Sequence, residues 1–370
     1  MKKQLNKKLS DKEAMALAIE EAQKGLGFVS PNPPVGCVLL NKNREFLSSG
    51  FYSHYGAIHA EIRALNKIKD KKLLEKAHLF VTLEPCFHFG QNPPCVNSLI
   101  KYPWASLTYG TEDPNPKTNR KSIKKLKSKG FKVKKTIFFE KKLQRLYEAF
   151  ALNMKEKRAF FALKTASSLD GVTAFSHGES QWITNRESRD LAHKLRADFS
   201  AILIGVNTFL QDNPRLNCRR KAKKNITNKV IVLDPSGKSF SLIERSHLAR
   251  VRPMKDIYIV SQRKPKTKYP FQLIHLSDYP FNLKELSYIL YNKNISSVLV
   301  EGGAETLSQF LEQKQAQRLY CFINPCLLGG KRGQYWTESL NIRGLSSKKQ
   351  LKSVEILYLN EDLFVTGLVF

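Results

Sequence analysis

With 370 residues, 42% of them hydrophobic and 25% charged, the chain has the composition of an ordinary globular protein and too much length for one comfortable core. Two domains are the default expectation. The formal net charge of +30 admits nucleic acid, a membrane surface or anionic small molecules as partners, yet the basic residues are spread over both halves rather than gathered in one stretch.

In chain order, the opening MKKQLNKKLSDKEAMALAIEEA is positive but has no apolar centre and no cleavage pattern, so it does not read as a signal peptide. No uninterrupted apolar run is long enough to span a membrane, and the expected location is cytoplasmic. Residues 11–24 form an amphipathic helix, with Ser10 and Glu13 as its capping box. Ser30-Pro31-Asn32-Pro33-Pro34-Val35-Gly36 is a turn-rich loop leading into a strand, Cys37 to Leu40. The amide of Asn32 sits in a rigid proline frame, suited either to reading a ring edge or to closing a turn. His54 reads as a hydrogen-bonding or core histidine rather than a ligand. His59 opens a helix-like run with Ile62, Leu65 and Ile68 on one face, ending near Lys72. His78 to Leu83 is a buried strand that delivers Glu84-Pro85-Cys86, and Pro94-Cys95 follows.

The run Lys121 to Lys135 interleaves Ile123, Leu126, Phe131 and Val133 with lysines, and reads as a helix, a stop at Gly130 and a strand. Helices thus alternate with strands through Phe139, the outline of an α/β sandwich. The charged, helix-like segment Leu143 to Lys157 reads as a linker, giving domains at residues 1–152 and 156–370. Beyond it, strands are expected at Phe160 to Thr165, Ala201 to Ile204, Val230 to Leu233 and Ser297 to Val300, with a helix from Arg186 to Ala197. Several strand ends carry Gly, Thr, Ser or Asp, which suggests a ligand crevice along the carboxyl edge of a sheet. The last unit, strand then Glu301-Gly302-Gly303 then a helix from Ala304, offers backbone N–H groups to an anion, although no G-x-G-x-x-G is present.

The chemistry-bearing constellation is His59-Ala60-Glu61 with Cys86 and Cys95. It supplies one imidazole and two thiolates, the three protein ligands of a catalytic zinc site, whose open position holds a water with pKa near 7. Glu61 need not be a ligand and is suited to shuttle protons. The His-x-Glu and Pro-Cys pairing is the mark of zinc-dependent nucleobase deaminases. Either half alone arises often by chance. Residues two apart share no helix face, so His59 and Glu61 converge only at the first turn of their helix. Both cysteines follow prolines, which suit a first helical turn where exposed N–H groups favour thiolate. The other cysteines, Cys37, Cys218, Cys321 and Cys326, read as apolar or half-buried positions.

At this point the chain resembles the bifunctional deaminase–reductases of bacterial riboflavin biosynthesis over nearly its whole length. In the first half the likeness rests on Asn32 to Cys37, His59-Ala60-Glu61, Thr82 to Cys86, His88, Gly90, Pro93-Pro94-Cys95 and Asp113 to Pro116. In the second half it rests on Lys164, Ser168 to Gly171, Gly178 to Thr184, Leu195 to Ala197, Asp212, Pro214, Leu216, Arg219 and Glu301 to Gly303. The resemblance implies a cytidine-deaminase-like α/β/α sandwich holding Zn2+ through His59, Cys86 and Cys95, with Glu61 as the acid/base. It implies a second α/β domain like dihydrofolate reductase that uses NADPH to open a ribosyl group to ribityl. The substrate implied is a small phosphorylated pyrimidine, 2,5-diamino-6-ribosylamino-pyrimidinone phosphate, deaminated and then reduced. Cofactor contacts carry over to Ala166, Trp182, Thr208, Asp212 and the run Gly303, Ala304, Glu305, Thr306, Leu307, Ser308 and Gln309. Substrate contacts carry over to Ser180, Arg196, Leu216, Arg219 and Glu301, and two arginines suit a phosphate bidentately. The sequence departs from the family pattern at Phe87, at Gln91-Asn92, at Lys117 to Lys121, and at Asn213 and Asn217.

A nucleic-acid deaminase or RNA-binding protein is the competing class, prompted by the net charge. Such deaminases commonly place two residues between their cysteines, whereas here residues 87 to 94 intervene. No cluster of aromatics beside basic residues offers bases a stacking surface. The reading leaves a homo-oligomer open and expects no membrane partner.

Overall fold

In a computed structural model that describes residues 7–175, 183–218, 228–265 and 268–370, the chain divides into two units, Met1–Lys157 and Arg158–Phe370. Every hydrophobic core cluster lies wholly within one unit.

The first unit begins with α1 (Asp11–Gln23), and the capping box is present: the Glu13 N–H donates to Ser10 Oγ at 3.2 Å and the Ser10 N–H to Glu13 at 2.9 Å. Its buried stripe is made of Ala14, Met15, Ala18, Ile19 and Ala22. Small side chains let it lie directly on β1 (Gly36–Leu40), where a Cβ on Gly36 would stand 2.0 Å from the Ala18 carbonyl oxygen. The chain continues through β2 (Phe46–Phe51), α2 (Ala60–Asn66), β3 (His78–Leu83), α3 (Cys95–Leu99), β4 (Ser106–Thr111), α4 (Lys121–Ser128), β5 (Val133–Lys135) and α5 (Glu140–Glu156). The sheet order is β2-β1-β3-β4-β5, with β1 antiparallel to both neighbours and β3, β4 and β5 parallel. α2, α3 and α4 cover one face through Ala64, Val96 and Leu126, and α1 and α5 cover the other.

Two expectations change. α2 stops at Asn66, short of Lys72, and a separate turn of 3-10 helix at Lys71–Leu74 begins after the Asp70 side chain caps it. The segment expected to be a linker is α5 itself. Leu143, Tyr147 and Phe150 are buried in it, and Tyr147 Oη donates to Thr82 Oγ1 at 2.6 Å, tying the helix to β3. The lysines sit on its outer face, so charge density alone gave a false impression of exposure.

The second unit runs β6 (Phe160–Ser168), β7 (Val172–Phe175), α6 (Arg186–Asp198), β8 (Ala201–Gly205), α7 (Val206–Asp212), β9 (Lys229–Leu233), α8 (His247–Val251), β10 (Ile257–Ser261), β11 (Gln272–His275), α9 (Leu283–Asn292), β12 (Ser297–Val300), α10 (Ala304–Glu312), β13 (Arg318–Asn324), β14 (Gly333–Tyr335), β15 (Lys352–Leu359) and β16 (Asp362–Leu368). Nine strands form one sheet in the order β11-β10-β9-β8-β12-β6-β13-β16-β15. The strands from β11 to β13 are parallel, and β16 is antiparallel to both β13 and β15. Alternate residues of the central strands enter two cores, one with α9 and α10 and one with α7 and α8. Burial on both faces explains why these strands read as unbroken apolar runs. Parallel pairing brings the ends of β6, β8 and β12 to one edge, where Ser168, Gly205 and Glu301 stand. No helix among the described residues is long and apolar enough to cross a membrane.

Candidate functional site

His59 is the N-cap of α2 and Glu61 lies in its first turn, the geometry that lets residues two apart converge. β3 ends at Leu83 and hands the chain to Glu84-Pro85-Cys86, while Cys95 opens α3 behind Pro94. His59 Nδ1 stands 3.1 Å from Cys95 Sγ and 3.3 Å from Cys86 Sγ. The three donor atoms lie within 4.8 Å of one another, a closeness that no other trio of His, Cys, Asp or Glu reaches among the described residues. One imidazole and two thiols, all uncommitted to disulfides, fit a tetrahedral zinc ion with its fourth position open.

Only one of the cysteines starts a helix, contrary to the expectation for both. Cys86 lies in an extended segment, but the first N–H of α3, on Cys95, donates to its sulfur at 3.1 Å. A hydrogen bond from Cys95 and a second from His59 lower the Cys86 thiol despite the cost of burial, and Cys95 is pushed up by that same neighbour. Glu61 is 3% exposed, and burial followed by the Cys86 charge raises its carboxyl. The Tyr52 ring meets His59 edge-on at 5.5 Å, and its hydroxyl accepts from Asn32 Nδ2 at 2.8 Å and from the Gly56 N–H at 2.9 Å. Asn32 therefore both closes its turn and lines the site. His54 is exposed and bonded to Ser53, outside the trio, as expected.

A cavity of about 440 Å3 opens over His59, Cys86 and Glu61. Two of its carboxylates were given no role from the sequence. Glu84, 2% exposed, accepts from Ser122 Oγ at 2.6 Å, the Arg120 N–H at 2.9 Å and the Asp113 N–H at 3.2 Å. It thereby fastens the loop after β4 to the end of β3. Asp113, brought to the cavity wall by that loop, is raised to about 6 by burial. The Asp113-Pro114-Asn115-Pro116 turn was the only visible signal for it.

In the second unit a smaller cavity, about 230 Å3, is lined by Lys164 and Ala166 of β6 and by Arg189, His193 and Arg196 of α6. Behind β12, Glu301 receives Arg196 Nε at 2.6 Å and Nη2 at 2.7 Å, with Lys164 Nζ 4.0 Å away. The bidentate edge of Arg196 is thus engaged by a carboxylate of the chain itself. Burial would raise Glu301, but Arg196 more than offsets it and holds the carboxyl at about 2.

The remaining residues carried over by resemblance are dispersed. Thr208 and Asp212 lie on α7, and neither they nor the start of α10 line that cavity. Leu216 has a left-handed backbone, φ 46°, and its side chain packs in the core, so its carbonyl is what it presents, already accepting from Arg252 Nη2. Gly303 is the N-cap of α10, with open space where a Cβ would stand, and Ala304 to Gln309 follow it in the helix. Leu307 is a core side chain. Ser308 Oγ and Gln309 Oε1 are buried without a hydrogen-bond partner, polar atoms that a bound cofactor could satisfy. Ser180, Trp182 and Arg219 lie outside the described residues.

Fold and site together define a two-domain α/β enzyme whose first domain carries a candidate metal site of the deaminase type. The model for the cytidine and deoxycytidylate deaminase zinc-binding region matches residues 8–111, and that for the RibD C-terminal domain matches residues 159–365. The riboflavin biosynthesis protein RibD of Aquifex aeolicus is 33% identical to the chain, covering 96% of it and 97% of that protein. Among solved structures, RibD of Acinetobacter baumannii is similar with a TM-score of 0.82 at 28% identity, covering 97% of this chain and 99% of its own. A diaminohydroxyphosphoribosylaminopyrimidine deaminase/5-amino-6-(5-phosphoribosylamino)uracil reductase from Thermotoga maritima reaches 0.84 at 32% identity, covering 96% and 98%. The chain belongs to the RibD family, a bifunctional deaminase and reductase of riboflavin biosynthesis with a cytidine-deaminase-like domain followed by a dihydrofolate-reductase-like one.

Proposed function

We infer that the first unit removes an amine from 2,5-diamino-6-ribosylamino-pyrimidinone phosphate and that the second reduces the ribosyl group of the product to ribityl with NADPH. The observation that carries the first step is the His59, Cys86 and Cys95 trio beside buried Glu61 at the base of a cavity. Zinc held there supplies an activated water as nucleophile near neutral pH. Glu61 would take up a proton from the attacking water, give it to the ring nitrogen, and carry a further proton to the departing amine. Tyr52 holds the His59 ring edge-on, and Glu84 holds the loop that brings Asp113 to the cavity wall.

For the second step the cofactor supplies the hydride. Open space at Gly303 and the unpartnered Ser308 and Gln309 atoms support a dinucleotide along the start of α10, with Ala166, Trp182, Thr208 and Asp212 as further contacts. Lys164, Arg196 and Glu301, with Ser180, Leu216 and Arg219, would then face the sugar and phosphate of the substrate.

The test follows ammonia and NADPH separately. The diamino substrate should release ammonia without NADPH. NADPH consumption should appear only when deaminated product is present, whether made in place or added. NADPH oxidation from the diamino compound by a Glu61→Gln protein would overturn the order of steps.

A further inference from the structure

The deaminase cavity has an uneven distribution of charge. Its inner wall carries three carboxylates, Glu61, Glu84 and Asp113, none more than 5% exposed. Its rim includes Tyr55, Gly90 and Gln91, exposed and uncharged. Among the described residues no lysine or arginine lines it, in a chain that contains 62 of them. Three of the cations close by in sequence are engaged elsewhere, and exposed Lys117, two positions past Asn115, does not line the cavity. Arg63 donates to Ser53 Oγ and covers the Phe51 ring, Arg120 pairs with Glu112 at 3.0 Å, and Lys125 donates to Asn97 and lies over Phe87.

The amine to be removed must reach Glu61 and the metal trio on the inner wall. The ribosyl phosphate, attached elsewhere on the ring, then extends toward the rim. Drawn inward, a phosphate dianion would lose its water among carboxylates and meet no lysine or arginine. Left at the rim it stays hydrated, and it finds no cation to prefer it over hydrogen. The second cavity differs in having cations in its lining: Lys164, 4.0 Å from Glu301, Arg196, held by Glu301, and Arg189, which donates to the Thr184 carbonyl.

We propose that the first unit selects its substrate by ring and sugar and is indifferent to the phosphate, with neutral Gln91 at the rim setting that indifference; the proposal rests on the substrate reading above. Phosphate selection in the two-step reaction then belongs to the second unit.

The experiment gives full-length, zinc-loaded protein the nucleotide and its dephosphorylated nucleoside without NADPH and follows ammonia. The two kcat/KM values should agree within roughly threefold. Gln91→Lys should shift the ratio toward the nucleotide by roughly threefold or more at low salt, an advantage that added salt removes. A nucleotide preference of roughly tenfold or more in the unaltered protein overturns the proposal. A ratio that Gln91→Lys leaves unmoved overturns the role given to Gln91. Ammonia from neither compound overturns the substrate reading itself, and the inference with it.

Discussion

Cys86 and Cys95 converge on one nitrogen, His59 Nδ1, so losing either thiol leaves two ligands where zinc needs three. Cys86→Ser and Cys95→Ser should each lose both metal and ammonia release, because a hydroxyl is a poor replacement for thiolate. Elemental analysis decides it, and full zinc in both variants would sink the assignment. Glu61→Gln should instead keep its zinc and slow deamination by roughly 10²–10⁴-fold, the usual worth of a positioned acid/base group. Unchanged ammonia release would make Glu61 a bystander. Arg196 acts first within the fold. Its removal leaves Glu301 buried with Lys164, 4.0 Å away, as its remaining cation, and losing one partner of a buried pair typically costs up to about 3–5 kcal/mol. The sign with pH follows from the carboxyl being held at about 2, below its usual 4.5. The pair's contribution is complete above the unfolded value, fades as pH falls below it, and is gone beneath the folded one. Thermal unfolding at neutral pH and again in acid should therefore separate Arg196→Ala from the parent most widely at neutral pH. Equal melting temperatures there would show that Glu301 is supported without Arg196.

At the level of elements, the turn from β12 into α10 contains two glycines with opposite duties. A Cβ on Gly302 would stand 2.5 Å from Thr306 Cβ, whereas one on Gly303 meets nothing within 4 Å. Gly302→Ala should cost about 1–3 kcal/mol by overpacking. Gly303→Val should fold like the parent and weaken NADPH, because the new side chain occupies the space before the helix N-terminus. Thermal unfolding of both variants and an NADPH titration test the division. Normal NADPH binding by Gly303→Val would mean that the strand-turn-helix unit is only a turn. The sequence made this unit visible because local rules build it: a doubly buried strand is an apolar run, and glycines mark where backbones approach. The Ser10 capping box was legible for the same reason, whereas the His59, Cys86 and Cys95 set, with its cysteines 27 and 36 positions from His59, was legible through its residue types, which together fit a metal. The Glu84 network was not, since its partners lie 29 to 38 positions away, and one sequence does not state which distant hydroxyl meets which carboxylate. α5 was misread because its charged residues outnumber Leu143, Tyr147 and Phe150, although these recur at helical spacing.

For the whole molecule, each core cluster among the described residues lying within one unit predicts that the units fold independently. A fragment of residues 158–370 keeps Arg158, whose guanidinium donates to Gln315, and the Ala159 N–H bonded to the Ser287 carbonyl. It should fold alone, bind no zinc, and oxidise NADPH when given the deaminated substrate. Circular dichroism and NADPH absorbance check both halves of that statement, and a fragment that stays unfolded would show that the second unit depends on the first. The net charge of +30 has no counterpart in either the metal trio or the cavity around it, and nothing in the structure explains its size.

α5 also decides what a premature stop codon does. Its Phe150 and Met154 form part of the cavity wall, and Tyr147 anchors it to β3. A nonsense change anywhere before this helix therefore removes the second enzyme and opens the first to solvent, silencing both chemistries at once. One falling just after Lys157 would spare a complete first unit. Genetically, the same chain is a single all-or-nothing function up to that helix, and two separable functions only from the end of the helix onward.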